Sequence, residues 1–303
     1  MALFSLLEKK PFFEFLFIIK MDFNEDDHAL EMEARMLAPL EWESTANCKI
    51  IDLREPLYNE VLRLIKNATM EIVIRAVRYF SQRHFFREEP MCKASSFLQD
   101  QPSVKEYLEL VHTWIKDTTS LIATSLTSGR VVGVAVMKID NEADKTNTYN
   151  RVQDLQGESL KKIMHLRNTL IRQTNPHKQF AQKEYVTIYI LYVHPSYQQR
   201  GVEVALLNGC VQAAVTLKMP AIGGIFTCGM SQSKAQSVGF QLLSEIRYSQ
   251  WIVDDRVIFD DPGRGNYSAA FMGKTIPLKD RGFTPREGWL RRMEFHPIAW
   301  GKP

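Results

Sequence analysis

Apolar positions along this chain recur with a period of about 3.6 in some stretches and about 2 in others, and each change of period marks a boundary between elements. Lys49-Ile50-Ile51-Asp52-Leu53 predicts a short strand that opens the ordered domain, and the acidic segment from Glu25 to Glu43 predicts a linker or a peripheral helix before it. Leu57, Val61, Leu62 and Ile65 then repeat at helical spacing, and Met70, Ile72, Val73, Ala76 and Val77 carry a second helical face toward Phe80. Arg87-Glu88-Glu89-Pro90 predicts a polar, loop-like break, because proline disfavours helical geometry at the residue before it. Helix resumes from Val104 to Ile115, with Tyr107, Leu108, Val111 and Trp114 on one stripe. Ser120 to Ser125 and Val131 to Ile139 are β-rich runs joined by Thr127-Ser128-Gly129-Arg130, which predicts an antiparallel hairpin.

Asn147 to Gln182 is polar with an apolar stripe through Leu160, Ile163, Met164, Leu166, Leu170 and Ile171, and predicts helix. Tyr185 to Val193 is the longest β-like run. It breaks into a polar turn and then into an apolar helical segment with Val202, Leu206, Cys210, Ala213 and Leu217, which stops before Pro220. Ala221 to Thr227 has the length of a buried strand, Ser231 to Val238 reads as a short helix closed by Gly239, and Phe240 to Val253 and Arg256 to Phe259 read as further strands. Strands alternating with helices, preceded by a hairpin, predict an α/β domain over residues 49–277 with a mixed central β-sheet flanked by helices on both faces. Residues 278–303, rich in arginine and aromatic side chains, are expected to form a tail packed on or extending from that domain, and residues 1–48 a partly disordered extension.

Composition narrows the function classes. Of 303 residues, 45% are hydrophobic and 24% charged, so burial rather than disorder is the expectation. The net charge of +3 comes from basic residues dispersed among acids, which implies no nucleic-acid partner. Cys48, Cys92, Cys210 and Cys228 form no C-x-x-C pair and have no histidine at ligand spacing, so they read as reduced thiols of a cytoplasmic protein, and no metal site is expected. Near the start, Phe12 to Ile19 forms an apolar run behind Lys9 and Lys10. Glu14 interrupts it, no small-residue cleavage site follows, and the run is far short of the roughly 20 apolar residues a membrane span needs. Two readings remain there, a loose extension or a membrane-surface or sorting segment, and Met21 is a possible second start. Neither membrane contact nor oligomerisation is called for elsewhere, and a monomer is expected.

The junction Val193-His194-Pro195-Ser196-Tyr197-Gln198-Gln199-Arg200-Gly201-Val202 carries the chemistry. A helix that begins immediately after a strand leaves its first backbone N–H groups without intrahelical partners, at the positive end of the helix dipole. Such a turn is an anion cradle, with room for a pyrophosphate.

The strand Tyr185 to Val193, the turn Gln198-Gln199-Arg200-Gly201 and the helix from Val202 resemble motif A of the GNAT superfamily of N-acetyltransferases. Thr227-Cys228-Gly229-Met230-Ser231-Gln232, the following Val238-Gly239-Phe240, and upstream Phe86-Arg87-Glu88-Glu89-Pro90-Met91 narrow the likeness to the insect arylalkylamine N-acetyltransferases, which include dopamine N-acetyltransferase. The resemblance covers residues 49–277. It implies acetyl-CoA as co-substrate, lying in a V between two splayed parallel strands, Tyr185 to Val193 and Ala221 to Thr227. Backbone of Leu191, Tyr192 and Val193 would line the pantetheine and thioester. Gln198, Gln199, Arg200, Gly201, Val202, Glu203 and Val204 would hold the pyrophosphate, with Gly201 admitting a close approach because it has no Cβ.

The same resemblance implies acetyl transfer to a small-molecule primary amine by direct attack, the acceptor being an arylalkylamine such as dopamine, tyramine, octopamine or serotonin. Such amines are ammonium ions near neutral pH, so a general base is needed, and Glu89 falls where the family has its glutamate. The residues alone read Glu88 and Glu89 as two solvated surface carboxylates. Ser231 and Thr227 fall where the family has two hydroxyls near the sulfur; Ser231 reads equally as a helix cap. Phe85, Phe86, Tyr79 and Phe80 read as core, and the resemblance puts that region near the acceptor.

One position departs from the pattern. After Gln198 and Gly201 the motif has a small residue where this chain has Glu203, a carboxylate that would repel a pyrophosphate. Two consequences are open: Glu203 turns outward and pairs with a base such as Arg200, or the chain is a catalytically degenerate GNAT-fold protein with weakened CoA binding, serving as an interaction or regulatory protein.

Overall fold

The computed structural model describes residues 40–44, 46–66, 85–117, 119–143 and 152–277. The expected extension through residue 39, the face from Met70 to Phe80, and the tail from residue 278 lie outside the described residues. In chain order the elements are β1 (Glu41–Trp42), β2 (Cys48–Asp52), α1 (Tyr58–Lys66), α2 (Phe85–Glu88), α3 (Pro90–Ala94), α4 (Gln101–Ile115), β3 (Leu121–Ser125), β4 (Val131–Asn141), α5 (Glu158–Thr174), α6 (Pro176–Phe180), β5 (Glu184–Val193), α7 (Val202–Thr216), β6 (Ala221–Phe226), α8 (Gly229–Ser237), β7 (Gln241–Arg247), β8 (Ile252–Val253), β9 (Arg256–Val257) and β10 (Ser268–Thr275).

The main sheet runs β1-β2-β3-β4-β5-β6-β10-β7. Its neighbours are antiparallel except β5 and β6, which are parallel because α7 carries the chain back across the sheet between them. Helices cover both faces. Val61 of α1, Val111 of α4 and Leu160 and Leu170 of α5 bury against one face with Ile122, Val134 and Tyr189. Val202, Leu206, Cys210 and Ala213 of α7 bury against the other with Ile50, Leu121, Ala135 and Val186. The close approach of α7 depends on Gly209, where a Cβ would stand 2.9 Å from Cγ2 of Ile50.

Two features of β4 and β5 shape the site. The β4–β5 register shifts between Val136, opposite Ile190, and Met137, opposite Ile188, so Tyr189 is an extra residue on β5. A bulge of this kind bends its strand. Pairing of β5 with β6 runs through Val186, Thr187 and Ile188 and stops there, although both strands continue, so their C-terminal ends diverge. The β4–β5 pair is pinned just before the bend by buried Asp140, which accepts hydrogen bonds from the hydroxyls of Thr187 (2.6 Å) and Tyr189 (3.1 Å). Burial raises the Asp140 carboxyl above its usual range, partly offset by those donors.

The structure corrects several sequence expectations. The sheet opens at Glu41, inside the segment read as linker or helix, because buried Trp42 pairs with Ile50 and its indole donates to Asp52. Phe240 to Val253 is not one strand: β7 ends at Arg247, where buried Tyr248 starts a turn, and β8 and β9 form a separate ribbon closed by Asp254 and Asp255 in the left-handed region. β10 lies between β6 and β7, in a stretch to which the sequence pattern assigns no element, and pairs antiparallel with both. The longest strand is β4, with 11 residues to the 10 of β5.

Candidate active site

The strand-to-helix junction, the candidate cradle, folds as a tight turn. Pro195 starts a short 3-10 turn capped by His194, whose Nδ1 accepts from the Ser196 N–H at 3.2 Å. Gln199 (φ 61°) and Gly201 (φ 78°) then take left-handed backbone, which reverses the chain into α7. A Cβ at Gly201 would meet nothing nearer than Ala46 Cβ at 3.9 Å, so its surroundings are open and its constraint is conformational. Val202, Glu203 and Val204 occupy the first turn of α7, where N–H groups have no intrahelical acceptor. Arg200 lies over the Tyr197 ring, 5.3 Å from its centroid. Gln198 does not reach into the turn: its Nε2 donates to Glu88 Oε2 (3.1 Å) and to the Val193 carbonyl (3.4 Å).

Glu203, in the first turn of α7, meets α8. It accepts from the Ser231 hydroxyl at 2.7 Å and forms an ion pair with Lys234 at 2.5 Å, both partners being on α8. Glu203 is thus paired with a base, Lys234 and not Arg200, while its side chain is sheltered and does not point out to solvent.

Glu89 is not a solvated surface carboxylate. The expected break at Arg87 to Pro90 is a junction of two short helices, α2 and α3, with Glu89 alone extended (ψ 123°) as Pro90 demands, and it is the N-cap of α3. It is 9% exposed; Oε2 accepts from the Cys92 N–H at 2.6 Å, and Oε1 is buried with no hydrogen-bond partner. An orphaned buried carboxylate oxygen is costly unless something fills it, a water or a ligand proton. The Cys92 thiol is pushed well up by burial and by the Glu89 charge, so it stays protonated.

The two hydroxyl candidates lie on the far side of the V. The Thr227 carbonyl at the end of β6 accepts from the Tyr248 hydroxyl at 2.7 Å. Burial, aided by the Glu89 charge, raises the Tyr248 phenol well above its ordinary value and holds it protonated. Ser231 does not cap α8; Cys228 does, its Sγ accepting from the Ser231 N–H at 3.3 Å. The Cys228 thiol also contacts the Ser231 hydroxyl at 3.1 Å.

Backbone of Leu191, Tyr192 and Val193 pairs with β4 on one edge and lies beyond the last β6 pair on the other. The Tyr192 side chain packs edge-on against Phe85 (5.6 Å between centroids), and burial, aided by Glu88, raises its phenol. Phe86 is 1% exposed and packs on Phe97 and Tyr107, so it is core and not a pocket wall; Tyr79 and Phe80 lie outside the described residues. Arg167 of α5, which the sequence reading did not single out, donates to the Tyr189 carbonyl at 3.1 Å and thus holds the bulge. Lys234, Tyr248 and Arg167 carry no local motif; only Cys228, just ahead of a helix start, had a sequence signal.

Among the described residues no cluster of histidine, cysteine or carboxylate side chains could hold a metal, and no helix is long and apolar enough to cross a membrane. What they do form is one parallel strand pair, opened at a bulge, with a helix N-terminus at its mouth. That architecture is the GNAT N-acetyltransferase fold. Solved structures share this overall fold. Arylalkylamine N-acetyltransferase 2 from Aedes aegypti has a TM-score of 0.65 at 23% identity, covering 76% of this chain and 100% of that one. Putative arylalkylamine N-acetyltransferase 7 from the same mosquito has a TM-score of 0.67 at 20% identity, covering 79% and 96%. Drosophila melanogaster polyamine N-acetyltransferase has a TM-score of 0.60 at 16% identity, covering 75% and 99%. No protein-family model matches the sequence, and no curated protein does.

Proposed function

We propose that the protein is an acyl-CoA-dependent N-acetyltransferase that acetylates a primary amine, with acetyl-CoA as co-substrate and an arylalkylamine as acceptor. The observation that carries the reading is the divergence of β5 and β6 beyond Ile188, where β5 runs on into the junction that starts α7, with the half-satisfied carboxylate of Glu89 next to Glu88, which is bonded to Gln198 of that junction. The cradle fits a pyrophosphate: it offers unpartnered first-turn N–H groups, a left-handed glycine and open space around it.

Acetyl-CoA supplies the activated acyl carbon as a thioester. Glu89 Oε1, free to accept, takes the proton from the ammonium form of the acceptor directly or through a water, and the Cys92 N–H holds Oε2 so that the free oxygen keeps its direction. The amine nitrogen then bonds to the acyl carbon as the carbon–sulfur bond breaks. Backbone N–H groups on the unpaired edge of β5, from Tyr189 to Val193, polarise the carbonyl oxygen as negative charge develops on it. After attack the nitrogen carries one proton more than the amide needs; that proton passes to the departing thiolate through the Ser231 hydroxyl, with Thr227 the second candidate hydroxyl. The pairing of Glu203 with Lys234 weighs against the catalytically degenerate alternative, since it removes the unpaired carboxylate on which that reading stood.

The test is thiol release by the purified full chain with acetyl-CoA and a panel of amines: dopamine, tyramine, octopamine, serotonin, agmatine and spermidine. Turnover greatest with the aromatic members is expected. Calorimetry that detects no acetyl-CoA binding, or a panel that yields no turnover, overturns the reading; preference for the aliphatic cations overturns its acceptor.

A further inference from the structure

A carboxylate in the first turn of a helix is stabilised by the same field that draws an anionic ligand, so the two compete for one place. Glu203 is such a carboxylate, two residues past Gly201, at the mouth of the proposed pyrophosphate cradle. Left alone it would oppose the ligand. It is not left alone: Oε2 meets the ammonium of Lys234 and Oε1 meets the Ser231 hydroxyl, and the two side chains of the ion pair are 13% and 21% exposed. Partial burial matters here, because a sheltered pair is screened little by solvent ions and keeps its geometry.

α7 and α8 are separate elements, and Lys234 lies one helical turn beyond Ser231 on the same side of α8, so one carboxylate can satisfy both. We propose that Lys234 is a positioning residue, the counter-charge that makes Glu203 compatible with a pyrophosphate at the α7 N-terminus while Glu203 holds the Ser231 hydroxyl. The inference rests on the proposed acetyl-CoA site and adds to it a residue that no local motif marks. The Glu203–Lys234 pair thus takes the place of the small residue: where a small residue leaves the cradle neutral by absence of charge, this chain keeps it neutral by compensation.

The test measures CoA binding and not turnover. Calorimetric titration of CoA is done on the full chain as wild type, Lys234→Met, Glu203→Gln, and the double variant, with melting temperatures alongside. Methionine keeps the aliphatic stem without the charge, and glutamine keeps an acceptor for Ser231. Lys234→Met is expected to weaken CoA binding about tenfold, as an uncompensated charge a few ångströms from the ligand does at a partly exposed site. The double variant returns to within about threefold of wild type, and the defect of the single variant shrinks in high salt. Unchanged CoA affinity in Lys234→Met, with or without a lower melting temperature, overturns the inference and leaves the acetyltransferase reading standing. Equal weakness of single and double variants also overturns it, since Lys234 would then act on the ligand or the fold without Glu203. Absence of CoA binding by the wild type overturns both. Should Lys234→Met fail to fold, Glu203→Gln decides alone: it leaves the Lys234 ammonium uncompensated beside the ligand, so CoA binding tightened severalfold supports the inference, and unchanged affinity overturns it.

Discussion

Gln198, at the start of the cradle, donates a hydrogen bond to Glu88, the residue before the candidate base, at 3.1 Å. Two halves of the site 110 residues apart in the chain are thereby joined: the turn that follows β5 and the junction between α2 and α3. The bond is exposed, so its loss should cost less than about 1 kcal/mol of stability. Its effect on chemistry is larger if it sets the distance from the cradle to Glu89. Gln198→Ala and Glu88→Ala are each expected to lower kcat/KM for the amine severalfold, and the double variant to be no worse than the poorer single one. Steady-state kinetics of the three variants is the check, and strictly multiplicative losses would show that the two residues act independently.

Glu89 has two duties that two substitutions separate. As N-cap of α3 it accepts from Cys92, and as candidate base it offers the other oxygen. Glu89→Gln keeps an acceptor for the cap and removes the basic oxygen, so its melting temperature should stay near wild type while kcat falls by about 10²–10⁴. Glu89→Ala loses the cap as well, at a further cost of about 1 kcal/mol in stability. Thermal denaturation paired with thiol-release rates distinguishes these outcomes. A Glu89→Gln protein that turns over at the wild-type rate rules out the base.

Legibility in the sequence followed locality. Tyr185 to Thr216 was readable because an uninterrupted apolar run, a polar turn with Gly201 and a helical apolar stripe follow one another without a gap, and β3–β4 because Gly129 marks its turn. β10 escaped notice because Ser268-Ala269-Ala270-Phe271-Met272-Gly273 is buried on both faces, has no alternation and is poor in β-branched residues. The candidate site divides in the same way. Glu89 was legible as a residue but not as a buried cap, and the approach of Lys234 to Glu203 arises from packing α8 against α7, which no spacing along the chain records.

Ile188 and Gly224 form the last rung of the parallel pair before the strands diverge. A Cβ at Gly224 would stand 2.8 Å from the Ile188 carbonyl oxygen, which is backbone and cannot swing aside. Gly224→Ala should therefore open the V one rung earlier and destabilise the fold by about 1–3 kcal/mol, the usual range for overpacking. CoA titration reads the first effect and urea denaturation the second. A variant with wild-type stability would show that the strands adjust freely at this rung.

Thiol chemistry gives an independent probe of the Ser231 side. Burial raises the Cys48, Cys92 and Cys210 thiols, whereas Cys228 is only half-buried beside the mouth of the V. Thiolate is the reactive form, so a small alkylating reagent should label Cys228 first at neutral pH, and acetyl-CoA should slow that labelling. Peptide mass mapping identifies the modified residue. Earlier labelling of Cys92 would mean that the Glu89 region opens to solvent. Unfolding adds a signed consequence: above pH about 9 the unfolded chain ionises thiols that the folded chain keeps protonated, so stability falls as pH rises past that point.

His194 links pH to the cradle itself. Its Nδ1 accepts from the Ser196 N–H, a role an imidazolium cannot fill, and desolvation lowers its pKa below the ordinary 6.5 of a histidine. The sign follows from linkage. Below 6.5 the unfolded chain binds a proton that the folded chain refuses, so this residue withdraws stability as pH falls from that value until the folded form also protonates. The turn that follows should loosen over the same window, weakening CoA binding as the solution becomes more acidic. Asn at position 194 supplies a side-chain oxygen for the same cap without titrating. His194→Asn is therefore expected to flatten both the melting temperature and the CoA affinity between about pH 7 and 5, where wild type declines. Parallel decline in the two proteins would assign the acid sensitivity to other groups.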